Sequence, residues 1–283
     1  MTSLDVVAGI SARQGALLAG WLPGAHVVRD HSWGLVARTV LEVEHDGATY
    51  VVKAGGPDDH HMARELRAHQ EWLSPWTSRG RAPAMVHHDA AALLLVTRFL
   101  PGQLVEGSRA AEDPDIHRQA GTLLALLHDQ PGLVDERYEA RENQKMIGWL
   151  DREHRIEADT EQRLRAEIAA WPVPPAMLVP THGDWQPRNW LHLDGIVSVI
   201  DFGRADLRPA ASDLARLAAQ DFRRHPALER AFLDGYGADP REPDAWHRHQ
   251  VREAIGTAVW AYSVGDERFE AQGHRMIAEA LAP

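Results

Sequence analysis

Apolar and polar positions divide the chain into a strand-rich first third and a helix-rich remainder. In the first third, apolar residues recur at helical spacing over 4–20 and again over 59–73, which predicts two helices. Short alternating or continuous apolar runs predict strands at 25–30, 35–44, 48–53, 85–88 and 91–99. The turn signal His45-Asp46-Gly47 would join the second and third strands. This order predicts a small antiparallel sheet accompanied by a helix.

A proline–glycine pair separates this part from the rest. Pro101-Gly102 breaks the pattern and predicts a linker, so 1–100 and 101–283 are expected to form two lobes. Asp113-Pro114 predicts the start of a helix in the second lobe. Further helical patterns follow at 137–170, 226–236, 244–263 and 268–281. The predicted fold class is therefore α+β, with a mainly helical second lobe.

A β-hairpin is predicted in the middle of the second lobe. Apolar runs at 190–193 and 196–200 flank Asp194-Gly195, which is a signal for a tight turn. A hairpin returns the chain to the point from which it started. We therefore expect Asp201, which follows the hairpin, to lie beside Asn189, which precedes it.

The segments on either side of this hairpin carry the strongest chemical signal. Magnesium-dependent phosphoryl transfer to a hydroxyl requires one carboxylate to take or orient the acceptor proton. It also requires an amide and a second carboxylate to hold the metal. Asp184, Asn189 and Asp201 provide these groups, and the alternative is an ordinary hairpin with incidental acids. The two segments read His182-Gly183-Asp184-Trp185-Gln186-Pro187-Arg188-Asn189 and Asp201-Phe202-Gly203.

The first segment has His-Gly-Asp where protein kinases carry His-Arg-Asp. With Asn189 in register, it resembles the aminoglycoside phosphotransferase family and its relatives among choline, homoserine and sugar kinases. The resemblance implies a bilobal protein-kinase-like fold, with a small antiparallel β N-lobe that contains one key helix and a mainly helical C-lobe. It implies ATP, or alternatively GTP, and Mg²⁺ as cofactors. It makes Asp184 the catalytic base, Asn189 and Asp201 the magnesium ligands, and His182 a support for the loop.

The same resemblance implies a phosphate-binding lysine in the first lobe. Lys53 ends a strand, as the lysine that binds the α- and β-phosphates does in kinases. Glu65 lies twelve residues later on the next predicted helix and would pair with it, with Glu71 as the alternative partner. A solvated strand end is the competing interpretation of Lys53.

Two further nucleotide contacts are expected from the resemblance. Ser32 and Gly34 match a phosphate loop that has fewer glycines than the loop of protein kinases, although an ordinary turn is the alternative. The backbone of Arg98 and Leu100, just before the predicted linker, would contact adenine.

Two residues near the motifs have competing interpretations. Asp213 resembles a family Asp that ties the following helix to the catalytic loop, and the alternative is an ordinary acid at a helix N-terminus. Arg188 replaces the small residue that often precedes the Asn. It would either contact the transferring phosphoryl group or the acceptor, or pair with an acid of the C-lobe.

Composition narrows the list of partners. The chain has no cysteine, which excludes disulfides and thiolate chemistry, and its net charge is −11. Residues 1–98 hold 9 Lys and Arg against 10 Asp and Glu, so nearly all of the acid excess lies in 99–283. We expect no nucleic-acid partner, because such partners need a basic surface. No apolar run is long enough to span a bilayer, so we expect no membrane partner. We also expect a cytoplasmic protein that is a monomer or a homodimer.

The acid excess favours a cationic acceptor, with a solubilising acidic surface as the competing interpretation. The predicted function is transfer of the γ-phosphate to a hydroxyl of a small, cationic antibiotic of aminoglycoside or basic-peptide type, which gives resistance. The alternatives are a metabolic kinase for choline, an amino acid, an amino alcohol or a sugar, and a nucleotide-binding pseudokinase. Acids and indoles that could bind the acceptor are Asp221, Asp266, Glu267, Glu270, Trp185, Trp190 and Trp260.

Overall fold

The computed structural model describes residues 2–3, 9–32 and 38–282 of the chain. The chain forms two compact units, each assembled from segments that are distant in sequence. The segment that carries the predicted catalytic motifs belongs to the same unit as the N-terminal sheet. The first unit comprises Met1–Leu127, His182–Asp206 and Arg230–Gly237, and the second comprises His128–Thr181, Leu207–Glu229 and Ala238–Pro283.

Strands dominate the N-terminal part and helices the C-terminal part. The strands are β1 Thr2–Ser3, β2 His26–Asp30, β3 Arg38–His45, β4 Ala48–Gly55, β5 Met85–Asp89, β6 Leu94–Arg98, β7 Gln103–Leu104, β8 Leu133–Asp135, β9 Ala176–Thr181, β10 Trp190–Leu193, β11 Ile196–Val199 and β12 Asp206–Arg208. The α-helices are α1 Ala12–Trp21, α2 His60–Glu71, α3 Ser74–Thr77, α4 Pro114–His128, α5 Tyr138–Leu150, α6 Ala158–Ala170, α7 Ala215–Leu217, α8 Pro226–Tyr236, α9 Pro243–Val264 and α10 Glu267–Ala280. Short 3-10 turns lie at Arg109–Glu112, Pro187–Asn189 and Ala210–Leu214, and a π-helix at Ala218–Phe222.

The N-terminal strands form an antiparallel sheet in the order β1-β2-β3-β4-β6-β5. Val52 and Ala54 of β4 are buried in a core that includes Leu18 of α1. Successive residues of a strand point to opposite faces, so Lys53 points away from this core. Its cross-strand partner Leu95 packs with α2, which places this helix on the face of the sheet that carries Lys53.

The first helix is shorter than the sequence predicts. Helical spacing indicates 4–20, but α1 begins at Ala12, because Ser11 and Gln14 form a capping box that fixes its start. Each side chain of this pair bonds the backbone N–H of the other residue. Residues 4–8 of the predicted helix lie outside the described residues.

The predicted hairpin is confirmed. β10 and β11 pair in register from Trp190 opposite Val199 to Leu193 opposite Ile196. The turn residues Asp194 and Gly195 both have positive φ, 51° and 76°, as a tight hairpin turn requires. β7 pairs with the other edge of β10.

Helices α5, α6, α9 and α10 build the core of the second unit, where Leu164, Val251 and Ile277 are buried together. The helical stretch expected over 137–170 is two helices, α5 and α6. Gly273 of α10 lies against α9: a Cβ added to it would fall 2.4 Å from the Ala258 nitrogen, so a glycine is needed for this close approach.

The predicted α+β class, with its small antiparallel sheet and mainly helical remainder, is confirmed. Within the described ranges, none of the helices combines the length and apolarity needed to cross a bilayer.

Candidate active site

His182 ties the predicted catalytic loop to the residue before Asp201. The His182 ring is buried, and its Nε2 lies 3.1 Å from the carbonyl oxygen of Ile200. The backbone N–H of Asp184 donates to His182 Nδ1 at 3.3 Å. Because Nδ1 accepts, the proton of the neutral ring sits on Nε2 and is donated to Ile200. Ile200 in turn donates its N–H to the Asn189 carbonyl at 3.0 Å, so the two motifs are joined by backbone as well.

Asp184 is 4% exposed, and its carboxylate accepts three hydrogen bonds from side chains of its own loop. Gln186 Nε2 donates to Oδ1 at 2.6 Å. Arg188 Nη2 and Asn189 Nδ2 donate to Oδ2 at 2.6 and 3.1 Å. Charge-assisted hydrogen bonds of this kind fix the orientation of a carboxylate. Arg188 thus pairs with the acid of its own loop.

Asn189 is buried and presents its side chain in one orientation. Its Nδ2 donates to the backbone carbonyl of Asp184 at 2.8 Å as well as to the carboxylate. The nitrogen is therefore engaged on the side of Asp184, and the amide oxygen Oδ1 is the group left to bind a cation.

Asp201 has an unusual backbone and a carboxylate that lies among positive charges. Its φ is 65°, in the left-handed region that Asp and Asn tolerate better than most residues. Desolvation alone would raise the pKa of this carboxyl, but the positive charges of Lys53 and Arg38 outweigh it and lower the pKa. The carboxylate is therefore ionised at neutral pH, which suits a ligand for a hard cation.

Lys53 pairs with Glu65, as predicted, and Glu71 is exposed on the same helix. Glu65 is only 1% exposed on α2, and its Oε1 accepts a hydrogen bond from Lys53 Nζ. Burial alone would lower the pKa of Lys53, but the negative charges of Glu65 and Asp201 outweigh it and raise the pKa. Lys53 is therefore charged and lies between two acids from different elements.

A second cation shares Glu65. Arg38, the first residue of β3, places Nη1 3.4 Å from Glu65 Oε2. Its Nε and Nη2 donate to the two oxygens of Asp59 at 2.8 and 2.7 Å. His61, in the first turn of α2, lies with Nδ1 2.8 Å from the Gly203 carbonyl oxygen. Arg38, Asp59, Glu65 and the Asp201–Gly203 turn are thus gathered along the N-terminal half of α2.

Of the other residues predicted to contact the nucleotide, the structure describes Ser32, Arg98 and Leu100. Ser32 closes a local turn, since its N–H donates to Asp30 Oδ1 at 2.8 Å and its hydroxyl accepts from the Val40 N–H at 3.0 Å. Gly34 lies outside the described residues. Arg98 ends β6, with its guanidinium on the Tyr50 hydroxyl at 2.9 Å, and Leu100 follows outside the strand.

Residues 27–250 match the family described as Phosphotransferase enzyme family. The match spans well over half of the chain. The chain belongs to this phosphotransferase enzyme family. The predicted enzyme class, a phosphotransferase that acts on a hydroxyl group of a small molecule, is thereby confirmed. No curated protein matches this phosphotransferase.

Several solved structures are similar to this phosphotransferase over nearly its whole length. Choline kinase LicA from Streptococcus pneumoniae is 15% identical, with a TM-score of 0.67, and the match covers 94% of this chain and 96% of the other. Aminoglycoside phosphotransferase APH(4)-Ia, in complex with ADP and hygromycin B, is 12% identical, with a TM-score of 0.66 and coverage of 95% and 98%. Macrolide 2'-phosphotransferase MphH from Brachybacterium faecium is 19% identical, with a TM-score of 0.58 and coverage of 95% and 96%. At these identities the likeness concerns the fold, and it confirms the predicted protein-kinase-like fold.

The second unit of this phosphotransferase holds Asp213. This residue is buried, in a 3-10 turn rather than in the first turn of an α-helix. Its Oδ2 lies 3.1 Å from His128 Nε2, and both side chains are nearly inaccessible. Asp213 therefore joins the end of α4 to the segment that follows β12, which is a supporting position.

The acids expected near the acceptor have different surroundings. Glu270 is buried and paired with an arginine of the same unit, so it is not open to a substrate. Asp266 caps α10 by accepting from a backbone N–H, and Glu267 is exposed in the next position. Asp221 lies in the π-helix and pairs with Arg224 at 3.2 Å.

Two of the three tryptophans expected to stack on the acceptor belong to the core. Trp185 and Trp190 are 1% and 0% exposed, with ring centroids 5.6 Å apart. At this burial, neither indole is open to a small molecule. Trp260 is 43% exposed and remains available.

Two residues at the site were missed by the sequence analysis. Gln186 lies inside the motif, and its spacing of two residues from Asp184 could have suggested that it contacts the carboxylate. Arg38 lies opposite Gly55 in the β3–β4 pair, two residues beyond the Val40–Lys53 pair and on the same face. The strand alternation could therefore have placed it beside Lys53, but its contacts with Asp59 and Glu65 depend on how α2 packs.

Proposed function

We propose that this protein transfers the γ-phosphate of ATP, or alternatively GTP, to a hydroxyl of a small molecule with Asp184 as the catalytic base. The observation that carries the proposal is the fixed carboxylate of Asp184, held by Gln186, Arg188 and Asn189. A held carboxylate can accept a hydrogen bond from the acceptor hydroxyl, orient its oxygen towards the phosphate and take the proton late in the reaction. His182 supports the loop and does not itself transfer a proton.

Asn189 and Asp201 would hold Mg²⁺. The amide oxygen of Asn189 and the ionised carboxylate of Asp201 are the oxygen donors that this ion prefers. Two protein ligands suffice, because magnesium in such sites takes its other ligands from phosphates and water. When bound, it neutralises phosphate charge during transfer.

The nucleotide would bind to residues of the N-terminal lobe, which we place at 1–100. Lys53, oriented by Glu65, would contact the phosphates. Arg98 would offer its carbonyl and Leu100 its N–H to the adenine, and Ser32 and Gly34 would lie in the phosphate loop. A similar structure that was solved with ADP supports the use of a nucleotide.

The acceptor would bind in the C-terminal lobe, 101–283, and we propose that it is a cationic antibiotic whose phosphorylation gives resistance. The acid excess of this part of the chain supports a cation, and one similar structure contains hygromycin B. A metabolic acceptor such as choline is the second candidate, because a choline kinase shares the fold. Either reaction would use cytoplasmic ATP. The intact set of Lys53, Asp184, Asn189 and Asp201 argues against a pseudokinase.

The proposal is tested by magnesium-dependent ADP release with a panel of acceptors: aminoglycosides, basic peptides, macrolides, choline, amino acids and sugars. We expect turnover with a cationic antibiotic, and Asp184→Asn should lower kcat on the order of 10² or more while nucleotide binding persists. Asp46→Asn is the matched control, since Asp46 lies in an exposed turn with positive φ that Asn tolerates. If kcat of D184N lies within about tenfold of the wild-type value, Asp184 is not the catalytic base. Turnover with choline or a sugar alone would overturn the proposal that the acceptor is an antibiotic.

A further inference from the structure

All three guanidinium nitrogens of Arg38 contact carboxylates near Lys53. Nε and Nη2 form a fork on Asp59, and Nη1 faces Glu65. The side chain is only 12% exposed. Since its donors are already directed at carboxylates, Arg38 is not placed to bind a phosphate. It acts on the site through the groups that it holds.

Those groups belong to different elements. Asp59 caps α2 by accepting from the N–H groups of His61 and Met62, so the fork ties the start of the helix to β3. Glu65 lies further along α2 and shares its other oxygen with Lys53. Arg38 therefore holds Glu65 at one oxygen while Lys53 occupies the other.

Arg38 also lies against the turn that carries Asp201. A Cβ added to Gly203 would fall 3.1 Å from Arg38 Nη1 and 3.4 Å from Asp201 Oδ1. The absence of a side chain at Gly203 thus admits the guanidinium. His61 also bonds the Gly203 carbonyl. The turn therefore contacts both Arg38 and the first turn of the helix that Arg38 clamps.

We propose that Arg38 is a positioning residue that keeps Glu65 and the Asp201–Gly203 turn in place while Lys53, still paired with Glu65, contacts a bound nucleotide. The inference rests on the proposed function, because it assumes that Lys53 and Asp201 serve a magnesium–nucleotide complex. Because Arg38 holds the second oxygen of Glu65, the first oxygen stays directed at Lys53 and orients the lysine towards the phosphates.

The test is the affinity for ADP, measured by calorimetry with and without Mg²⁺. Arg38→Met should weaken magnesium–ADP binding by roughly 10- to 100-fold, the usual effect of losing a residue that orients ligands of a metal site. Arg38→Lys keeps the charge but loses the fork and should be intermediate. In turnover assays, R38M should raise KM for ATP and leave KM for the acceptor unchanged, a split that a merely structural role would not produce. Arg13→Met is the matched control, because Arg13 makes an exposed ion pair with Asp89.

A second variant covers the case in which R38M does not fold. Asp59→Asn breaks the fork from its other end but keeps a good helix cap, so it should weaken ADP binding in the same direction and to a smaller degree. Wild-type affinity in both R38M and D59N would overturn the positioning role and leave the proposed function intact. Failure of the wild-type protein to bind ADP would overturn both together.

Discussion

Three donors from one loop converge on Asp184, and each comes from a residue close to it in sequence. Of these three donors, Gln186 bonds Oδ1, whereas Arg188 and Asn189 both bond Oδ2. The two oxygens are therefore held by different groups. Loss of Gln186 would remove a hydrogen bond that orients Oδ1, while Arg188 and Asn189 still hold Oδ2.

This leads to a prediction for Gln186→Ala. We expect kcat to fall by about tenfold, the equivalent of one hydrogen bond to a charged group, with the affinity for ADP unchanged. Steady-state kinetics together with ADP calorimetry would measure both. Gln70→Ala is the control, because Gln70 is exposed and its amide contacts the exposed His88. Unchanged kcat in Q186A would mean that the loop fixes Asp184 without this bond.

At the scale of elements, close backbone contacts decide how the helices of the second unit pack. Gly273 in α10 touches the backbone of α9, whereas a Cβ on Gly256, within α9, would meet nothing within 4 Å. The same substitution therefore has opposite consequences at two glycines of one helix pair.

We predict that Gly273→Ala destabilises the protein by about 1–3 kcal/mol or more, because the added methyl group must push the two helices apart. Gly256→Ala should stabilise it by up to about 1 kcal/mol through helix propensity. Urea unfolding of both variants checks the pair. If Gly273→Ala is as stable as Gly256→Ala, α10 can move away from α9 without a loss of stability.

The sequence predicts elements well where local signals fix them. The Asp194-Gly195 turn determines the β10–β11 register, and the spacing of Lys53 and Glu65 correctly indicates their pairing, although β4 continues beyond Lys53 to Gly55. The start of α1 was misplaced because helical spacing outweighed the capping box at Ser11. The burial of Trp185 and Trp190 could not be predicted, since a tryptophan beside a motif can face either the core or a substrate.

At the scale of the whole molecule, the fold buries a titratable group next to the motifs. His69 of α2 packs edge-on against Phe202, with centroids 5.4 Å apart. Burial, with a smaller contribution from the charge of Lys53, lowers the pKa of His69 to about 3. The folded chain keeps this ring neutral where the unfolded chain would protonate it near pH 6.5. Since the unfolded state then binds more protons, stability falls as pH falls from about 6.5 towards 3.

Between pH 7 and about 5, the free energy of unfolding measured in urea is expected to fall by about 2 kcal/mol. His69→Gln removes the titrating ring, so its stability should depend less on pH over this interval by about that amount. His88→Gln is the control, because His88 is exposed. If H69Q keeps the full pH dependence of wild type, protonation elsewhere accounts for the loss.

The left-handed backbone at Asp201 limits which residues could replace it in the course of evolution. Gly and Asn adopt this conformation readily, whereas most other residues would add strain to the turn. A descendant that has lost this carboxylate but kept the fold is therefore expected to carry Asn or Gly at position 201. Such a substitution would mark a lineage in which the protein has become a binding module.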